Sequence, residues 1–269
     1  MRRPFLLASL ALLLATPGCL IDAGIAPVFE SNVVAATHYV HRGMVQNERG
    51  VAQADLNVDL ATTSDGTIGL KAWGNLDLSD QTGNAWFPSD HGGKFTEVDL
   101  TAQYGQRLAG FDLTAGVQSY VLPNGLEFPN GERGNTTEFF GRVGKESFLG
   151  LYPQLELRLD WDEADGWYAH VSVARDFAFE FEPRLRAQLL VGQGYSERDE
   201  SEWNYGLEES GLADLVGQAT LFFDWDDHTT FHVALAGSKL IDADLARWSR
   251  ALGIDDDLLW LTAGMTFRY

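Results

Sequence analysis

The 269-residue chain carries 39 acidic against 19 basic residues, a formal net charge of −20, and a single cysteine. That charge excludes a nucleic-acid partner, which needs a basic face, and the lone cysteine excludes an internal disulfide framework. With 28 glycines, 12% aromatic residues and no linker or low-complexity block, the composition suits one all-β domain with many turns.

The N-terminus reads as an export signal. Arg2 and Arg3 give a positive start, and Phe5 to Ala15 form an apolar stretch too short to cross a bilayer as a helix. Thr16, Pro17 and Gly18 supply a small-residue end. Residues 1–18 are therefore expected to be a signal peptide, cleaved somewhere between 18 and 26, with 27–269 as the folded domain. Cys19 has two readings: acylation as the first mature residue, or ordinary cleavage that leaves it without a role. Thr16 and Pro17 are unusual neighbours for a lipidation signal. No later segment has the continuous apolar length of a membrane helix.

From there the dominant signal is alternation with period two, the mark of strands with one apolar face. The first strand, Val33 to Arg42, alternates poorly and is placed by the strand after it. Leu56, Val58 and Leu60 then oppose Asp55 and Asp59; Leu70, Ala72 and Leu76 oppose Lys71 and Asp77. Leu100 and Ala102 oppose Glu97 and Asp99; Phe111, Leu113 and Val117 oppose Asp112. Phe139 and Val143 face away from Glu138 and Arg142, and Leu155 to Trp161 away from Glu156, Arg158 and Asp160. Further strands lie near Trp167, Leu185 (flanked by Arg184 and Arg186), Leu215, Phe231 and Leu259. The total is about twelve, an even number as in bacterial single-chain barrels.

Connections alternate between short and long. Short ones fall near Asp65-Gly66, Gln106 to Gly110, Phe181 to Pro183 and Asp226 to His228; long ones at Ser79 to Lys94, Leu122 to Thr136, Gln193 to Gly211 and Lys239 to Asp257. Short periplasmic turns and long external loops are the outer-membrane pattern. Asp162 to Gly166 is too short for it, and Gly144 to Pro153 too long. Three features separate a membrane barrel from a soluble one. Aromatic side chains sit at strand ends, from Tyr104 and Phe111 to Phe267 and Tyr269 at one rim, with Trp161 and Trp167 at the other. The apolar face is nearly free of charge. The chain ends on a strand whose last residue is aromatic, as suits recognition by barrel-assembly machinery.

Tyr39-Val40-His41-Arg42-Gly43, then Gln46, then Ala52-Gln53 and Asp55, resembles the opening Tyr-x-aromatic-Arg-Gly-x-x-Gln…Ala-x-Gln…Asp of the TorF-type porins, also called the Gcw-chp family. Ala72-Trp73-Gly74-Asn75 is similar to the tryptophan-bearing second hairpin of that family. The similarity extends to about Arg142, and His41 stands where the family carries an aromatic. The resemblance implies an outer-membrane barrel with a pore, and it brings no catalytic residue.

Other constellations are weaker. His170 and Ser172 share a strand face, as a hydrolase pair would, but alternation turns both inward and no orienting Asp or Asn stands at suitable spacing. The acidic turn Asp224 to His228 and the run Asp255 to Asp257 read as solvated turns more readily than as cation sites. Glu197 to Glu202, with Glu208 and Glu209, make one loop strongly acidic. Leu240 to Leu252 reads as a short helix, with Ile241, Leu245, Trp248 and Leu252 on one stripe and Gly253 past its end.

The expected fold is thus a transmembrane antiparallel up-and-down β-barrel in the bacterial outer membrane. Its candidate pore-lining residues are Arg42, Asp55, Asp59, Lys71, Asp77, Glu97, Asp99, Asp112, Glu138, Arg142, Glu156, Arg158, Asp160, Arg184 and Arg186. The expected function is passive diffusion of small solutes or ions with weak cation selectivity. A closed barrel with a structural or surface-binding role is the alternative, and an outer-membrane hydrolase the third reading. Expected partners are outer-membrane lipid, lipopolysaccharide and the assembly machinery; no catalytic residue, cofactor or metal is expected.

Overall fold

The computed structural model describes residues 27–61, 66–80, 91–123, 127–128, 131–132, 135–145 and 147–269. In chain order the strands are β1 (Val28–Ala36), β2 (Tyr39–His41), β3 (Met44–Asn47), β4 (Val51–Ala61), β5 (Gly66–Asp77), β6 (Phe95–Leu108), β7 (Phe111–Val121), β8 (Glu127–Phe128) and β9 (Gly131–Glu132). They continue with β10 (Thr136–Gly144), β11 (Tyr152–Asp160), β12 (Trp167–Ala178), β13 (Leu185–Ser196), β14 (Gly211–Asp224), β15 (Thr229–Leu240) and β16 (Asp257–Arg268). Helix α1 spans Arg198–Tyr205, between β13 and β14, and α2 spans Ala243–Ala251, between β15 and β16.

Twelve of these strands close an antiparallel barrel, in which chain neighbours pair all the way round and β1 meets β16 at the seam. The seam runs in register from Glu30↔Arg268 to Ala36↔Thr262, so no edge is left open. Wall strands are 9 to 14 residues long, enough for a tilted strand to cross a hydrocarbon layer. The alternation comes out inverted relative to a soluble barrel. Leu100 is 53% exposed on the outer face, while its strand neighbour Asp99 is 8% exposed on the inner one. Val191, Leu235 and Leu259 are likewise exposed on wall strands, the arrangement of a barrel whose solvent is lipid. Tyr104, Phe111, Phe177, Trp225, Phe231 and Tyr269 are exposed near one end, and Trp161 at the other.

The end at which β1 begins and β16 finishes carries short turns between the described strands. Ala109 and Gly110 both adopt positive φ (52° and 78°), the two-residue hairpin turn whose twist matches its strands. The connection after Gly144 obeys the same rule. Phe148 and Leu151 pair across Leu149 and Gly150, with φ of 56° and 76°. The apparently overlong connection is therefore a hairpin prolonged past the wall.

The opposite end is filled by folded segments, and here the structure departs from the sequence pattern. The first wall strand is Val28–Ala36, not Val33 to Arg42. Residues 37–50 leave the wall between β1 and β4, and β2 and β3 pair as a separate two-stranded hairpin. The acidic segment after β13 contains α1, with Glu197 at its start and Gly206 (φ 74°) at its end. Helix α2 forms where expected, with the Asp242 side chain accepting from the N–H groups of Asp244 and Leu245. Its Leu245 and Ala246 are buried with Met44 and Val45 of β3, Tyr205 of α1, and Tyr168, Ala213, Leu240 and Ile254. One apolar cluster thereby joins the hairpin, both helices and the wall.

Candidate lumen and plug

The hairpin turns on Arg42 and Gly43, both at positive φ (47° and 77°). A Cβ on Gly43 would lie 2.4 Å from Cβ of Asp214 on β14, so only glycine lets the turn press against the wall. The wall gives way as well. A Cβ on Gly194 would meet Oδ1 of Asp214 at 2.2 Å and the Tyr168 hydroxyl at 2.3 Å.

Contacts from four residues, Arg42, Tyr205, Tyr39 and His41, hold the plug. The buried Arg42 guanidinium pairs with Glu138 of β10 and Glu200 of α1, and sits 4.6 Å over the Tyr168 ring. The Tyr205 hydroxyl donates to the Arg42 carbonyl at 2.7 Å; burial, then nearby Asp214, pushes that hydroxyl well above its ordinary pKa and keeps it a donor. The Tyr39 hydroxyl donates to Oε2 of Glu97 at 2.7 Å, with its ring 5.7 Å from Trp73. The His41 ring lies edge-on to Tyr120 at 6.0 Å. In addition, Trp248 of α2 donates to the Tyr205 carbonyl at 2.9 Å, which couples the two helices.

Below Arg42 the charges form a ladder. Arg158 donates to Oε2 of Glu138 at 2.9 Å and to the Tyr120 hydroxyl at 2.9 Å, and pairs with Glu156. Arg142 pairs with Glu156 at 2.6 Å. Three strands further round the wall, Lys71 of β5 approaches Asp55 of β4 at 3.7 Å. Several carboxylates have neutral hydrogen-bond donors instead. Asp77 accepts from Asn75 at 3.0 Å, Glu97 from Tyr39, Asp99 from Gln118 at 2.7 Å, Asp160 from Thr136 and Asp214 from Tyr168 at 2.8 Å; Asp59 lies against Gly69. A cavity of about 680 Å³ lies within the barrel, lined from the plug side by Tyr39 to Arg42 and from the wall by Lys71, Asp99, Arg142, Glu156 and Arg158.

Of the residues expected to line a pore, Arg42, Lys71, Asp99, Arg142, Glu156 and Arg158 meet in this one cavity. Asp55 and Glu138 stand behind their partners, and Asp59, Asp77, Glu97 and Asp160 occupy inner-face positions on their strands. Arg42 is in the cavity through the plug rather than through the first wall strand. Asp112 lies at the turn end, bound by Arg107 at 2.9 Å. Arg186 pairs with Asp224 at 3.6 Å and stacks on Phe222 at 3.9 Å. Arg184 is not on the wall at all: it sits in the β12–β13 turn, exposed and bound to Glu182 at 3.0 Å. Cys19 lies outside the described residues. Sequence reasoning missed Glu200 and Tyr205, which it placed in a long acidic loop; Gly206, a helix-stop glycine, was the available signal.

His170 borders the cavity and Ser172 is buried on the same face, but neither hydrogen-bonds the other; the His170 ring stacks on Tyr168 at 6.3 Å instead. The carboxylates of Glu209, Asp242 and Asp244 lie within 4.8 Å of one another. Asp242 already caps α2 and Asp244 binds Arg247, so both have roles without an ion. The two acidic turns are engaged likewise: Asp226 accepts from the N–H groups of His228 and Thr229, and Asp256 binds Arg250.

No family model matches the chain, and no curated protein matches it. Among solved structures it is similar to the COG4313 outer membrane channel from Pseudomonas putida F1, at 10% identity and a TM-score of 0.56, over 94% of this chain and 99% of that one. This likeness bears on the fold: both chains are closed antiparallel β-barrels. The KdgM porin in complex with disordered oligogalacturonate matches at 9% identity over 89% and 98% of the two chains, with a TM-score of 0.47. The NanC porin matches at 9% identity over 90% and 99%, also with a TM-score of 0.47.

Proposed function

We propose that this protein is an outer-membrane diffusion channel for small solutes or ions, narrowed at its external mouth by the plug. One observation carries the reading: a closed barrel, apolar outside, encloses a polar cavity of about 680 Å³. The resemblance of the Tyr39 to Asp55 segment to the opening of TorF-type porins agrees with it. On this reading the segment 1–18 directs export, the assembly machinery inserts the barrel, and lipid and lipopolysaccharide surround it. Cys19 is an acylation site only if cleavage falls just before it.

The charge distribution favours weak cation selectivity. Each inner-face cation at the cavity has a carboxylate partner. Asp77 and Asp160, also at inner-face positions, rest on the neutral donors Asn75 and Thr136, which leaves a surplus of carboxylates. A surplus of one sign in a low-dielectric tunnel attracts counter-ions. A second reading, a closed barrel with a surface role, is favoured by the plug itself. Planar-bilayer recording separates the two. Wild-type protein is expected to give small ohmic steps with a weakly cationic reversal potential in a potassium chloride gradient. Replacing residues 38–48 by a short glycine-serine loop is expected to enlarge the steps. Asp55→Asn, which frees Lys71, is expected to move the potential toward anions. Silence from both wild-type and loop-replaced protein would support the closed reading.

A further inference from the structure

Resting on the channel reading, we infer that the lumen beneath the plug binds neutral polyhydroxyl solutes of the short-saccharide class, with the Trp73 ring as platform. The cavity, about 680 Å³, falls within the range of small-molecule sites. Its chemistry selects the class in three steps.

The first concerns charge. The most accessible charged side chains on the lining, Lys71 at 40% exposure and Arg142 at 34%, each lean on a carboxylate, Asp55 at 11% and Glu156 at 13%. Asp99 and Asp214 are buried. An anion entering must compete with a resident carboxylate. A small cation drawn in by the negative field finds the lining carboxylates covered, so it passes without a charged group to dock on. A charged solute that stops here therefore gives up hydration without a matching partner, which is costly in a low-dielectric site.

The second concerns hydrogen bonds. Thr101 and Gln103 on β6, and Trp260 and Thr262 on β16, line the same cavity and make no side-chain hydrogen bond within the described protein. They supply hydroxyl, amide and indole groups, all neutral, on two sides of the space. Hydroxyl groups, which both donate and accept, match such a set, and an ammonium or a carboxylate matches only half of it. Water also fills the set, so hydrogen bonding alone gives no selectivity.

The third supplies what water lacks, an apolar contact of fixed shape. Trp73 lines the cavity directly across from Asp99 in the β5–β6 register, with Tyr39 of the plug tilted over it at 5.7 Å. Half-exposed indole faces take the C–H face of a sugar ring while neighbouring polar groups take its hydroxyls. Tyr39 belongs to the plug, so the platform is complete only while the plug is seated.

The test uses the refolded full-length barrel and maltose as probe, with gluconate and choline as anionic and cationic probes. Maltose is expected to quench or shift tryptophan fluorescence saturably, and isothermal titration to give one site per barrel. Trp73→Ala, checked for folding by heat-modifiable migration, is expected to weaken this roughly tenfold, and Leu100→Ala on the outer wall to leave it unchanged. In bilayers maltose is expected to reduce ionic current saturably. Stronger saturation by gluconate or choline than by maltose would overturn the inference, and so would a maltose effect that only tracks bulk conductivity. Because the fluorescence and calorimetric arms do not need conduction, a silent barrel that still binds maltose sinks the channel reading alone. A conducting barrel that ignores maltose sinks the inference alone.

Discussion

The two ends of this barrel use the same charge pairs under opposite conditions. At the plugged end Arg42 keeps 6% of its side-chain exposure, between Glu138 at 2% and Glu200 at 1%. At the turn end Arg107 and Asp112 form an equally plain pair at 56% and 47% exposure. In the first case water is excluded, each charge depends on the others, and three chain segments are tied together. In the second, water screens both partners and the pair bridges a single hairpin. The difference teaches that burial and sequence separation, not the number of ion pairs, decide which contacts shape this molecule.

The comparison is broken most directly at Arg42. Arg42→Met removes the cation from between two buried carboxylates, and is expected to cost about 3–5 kcal/mol. The loss is measured from the urea midpoint of the refolded barrel, read by heat-modifiable migration. Adding Glu200→Gln should restore part of it, because Glu200 is left without its cation while Glu138 keeps Arg158 at 2.9 Å. A drop no larger than that of an exposed pair would show that the plug is not coupled to the wall.

Tyr39 offers an intermediate case. Tyr39→Phe keeps the ring against Trp73 but removes the hydroxyl donor to Glu97, at an expected cost of about 1–3 kcal/mol. Hydrogen exchange should locate the change in the hairpin amides of β2 and β3 rather than across the wall. Uniform loosening of all twelve wall strands would count against a local latch.

The smallest effect belongs to the turn end. Arg107→Ala is expected to change stability by less than about 1 kcal/mol, and that change should shrink further in high salt. A larger loss would mean that the exposed pair is shielded in the membrane, and would erase the contrast between the two ends.

How much of the fold and of the lumen is legible in the sequence depends on the range of each interaction. Side-chain alternation is written in residues two apart, so the wall strands from Val51 to Arg268, their apolar outer faces and the α2 helix capped by Asp242 can be read directly. The same local information assigns Asp55, Lys71, Asp99, Arg142, Glu156 and Arg158 to the inner face. It fails at the two segments that leave the wall. Tyr39 to Asn47 carries the opening motif, and its weak alternation marks it as irregular, but nothing local says that such a segment folds inward. Glu200 looks like one more acid in a long acidic loop.

The sequence by itself determined a barrel of about twelve strands with an apolar outer face, because period-two alternation marks the strands, and the charge-free apolar face with aromatic strand ends marks the side that turns outward. Only the tertiary structure decided what fills that barrel. The pairs Arg42–Glu200, Arg42–Glu138 and Tyr39–Glu97 join residues 158, 96 and 58 positions apart. Their energy depends on the removal of water from between them, which exists only once the wall has closed around the plug.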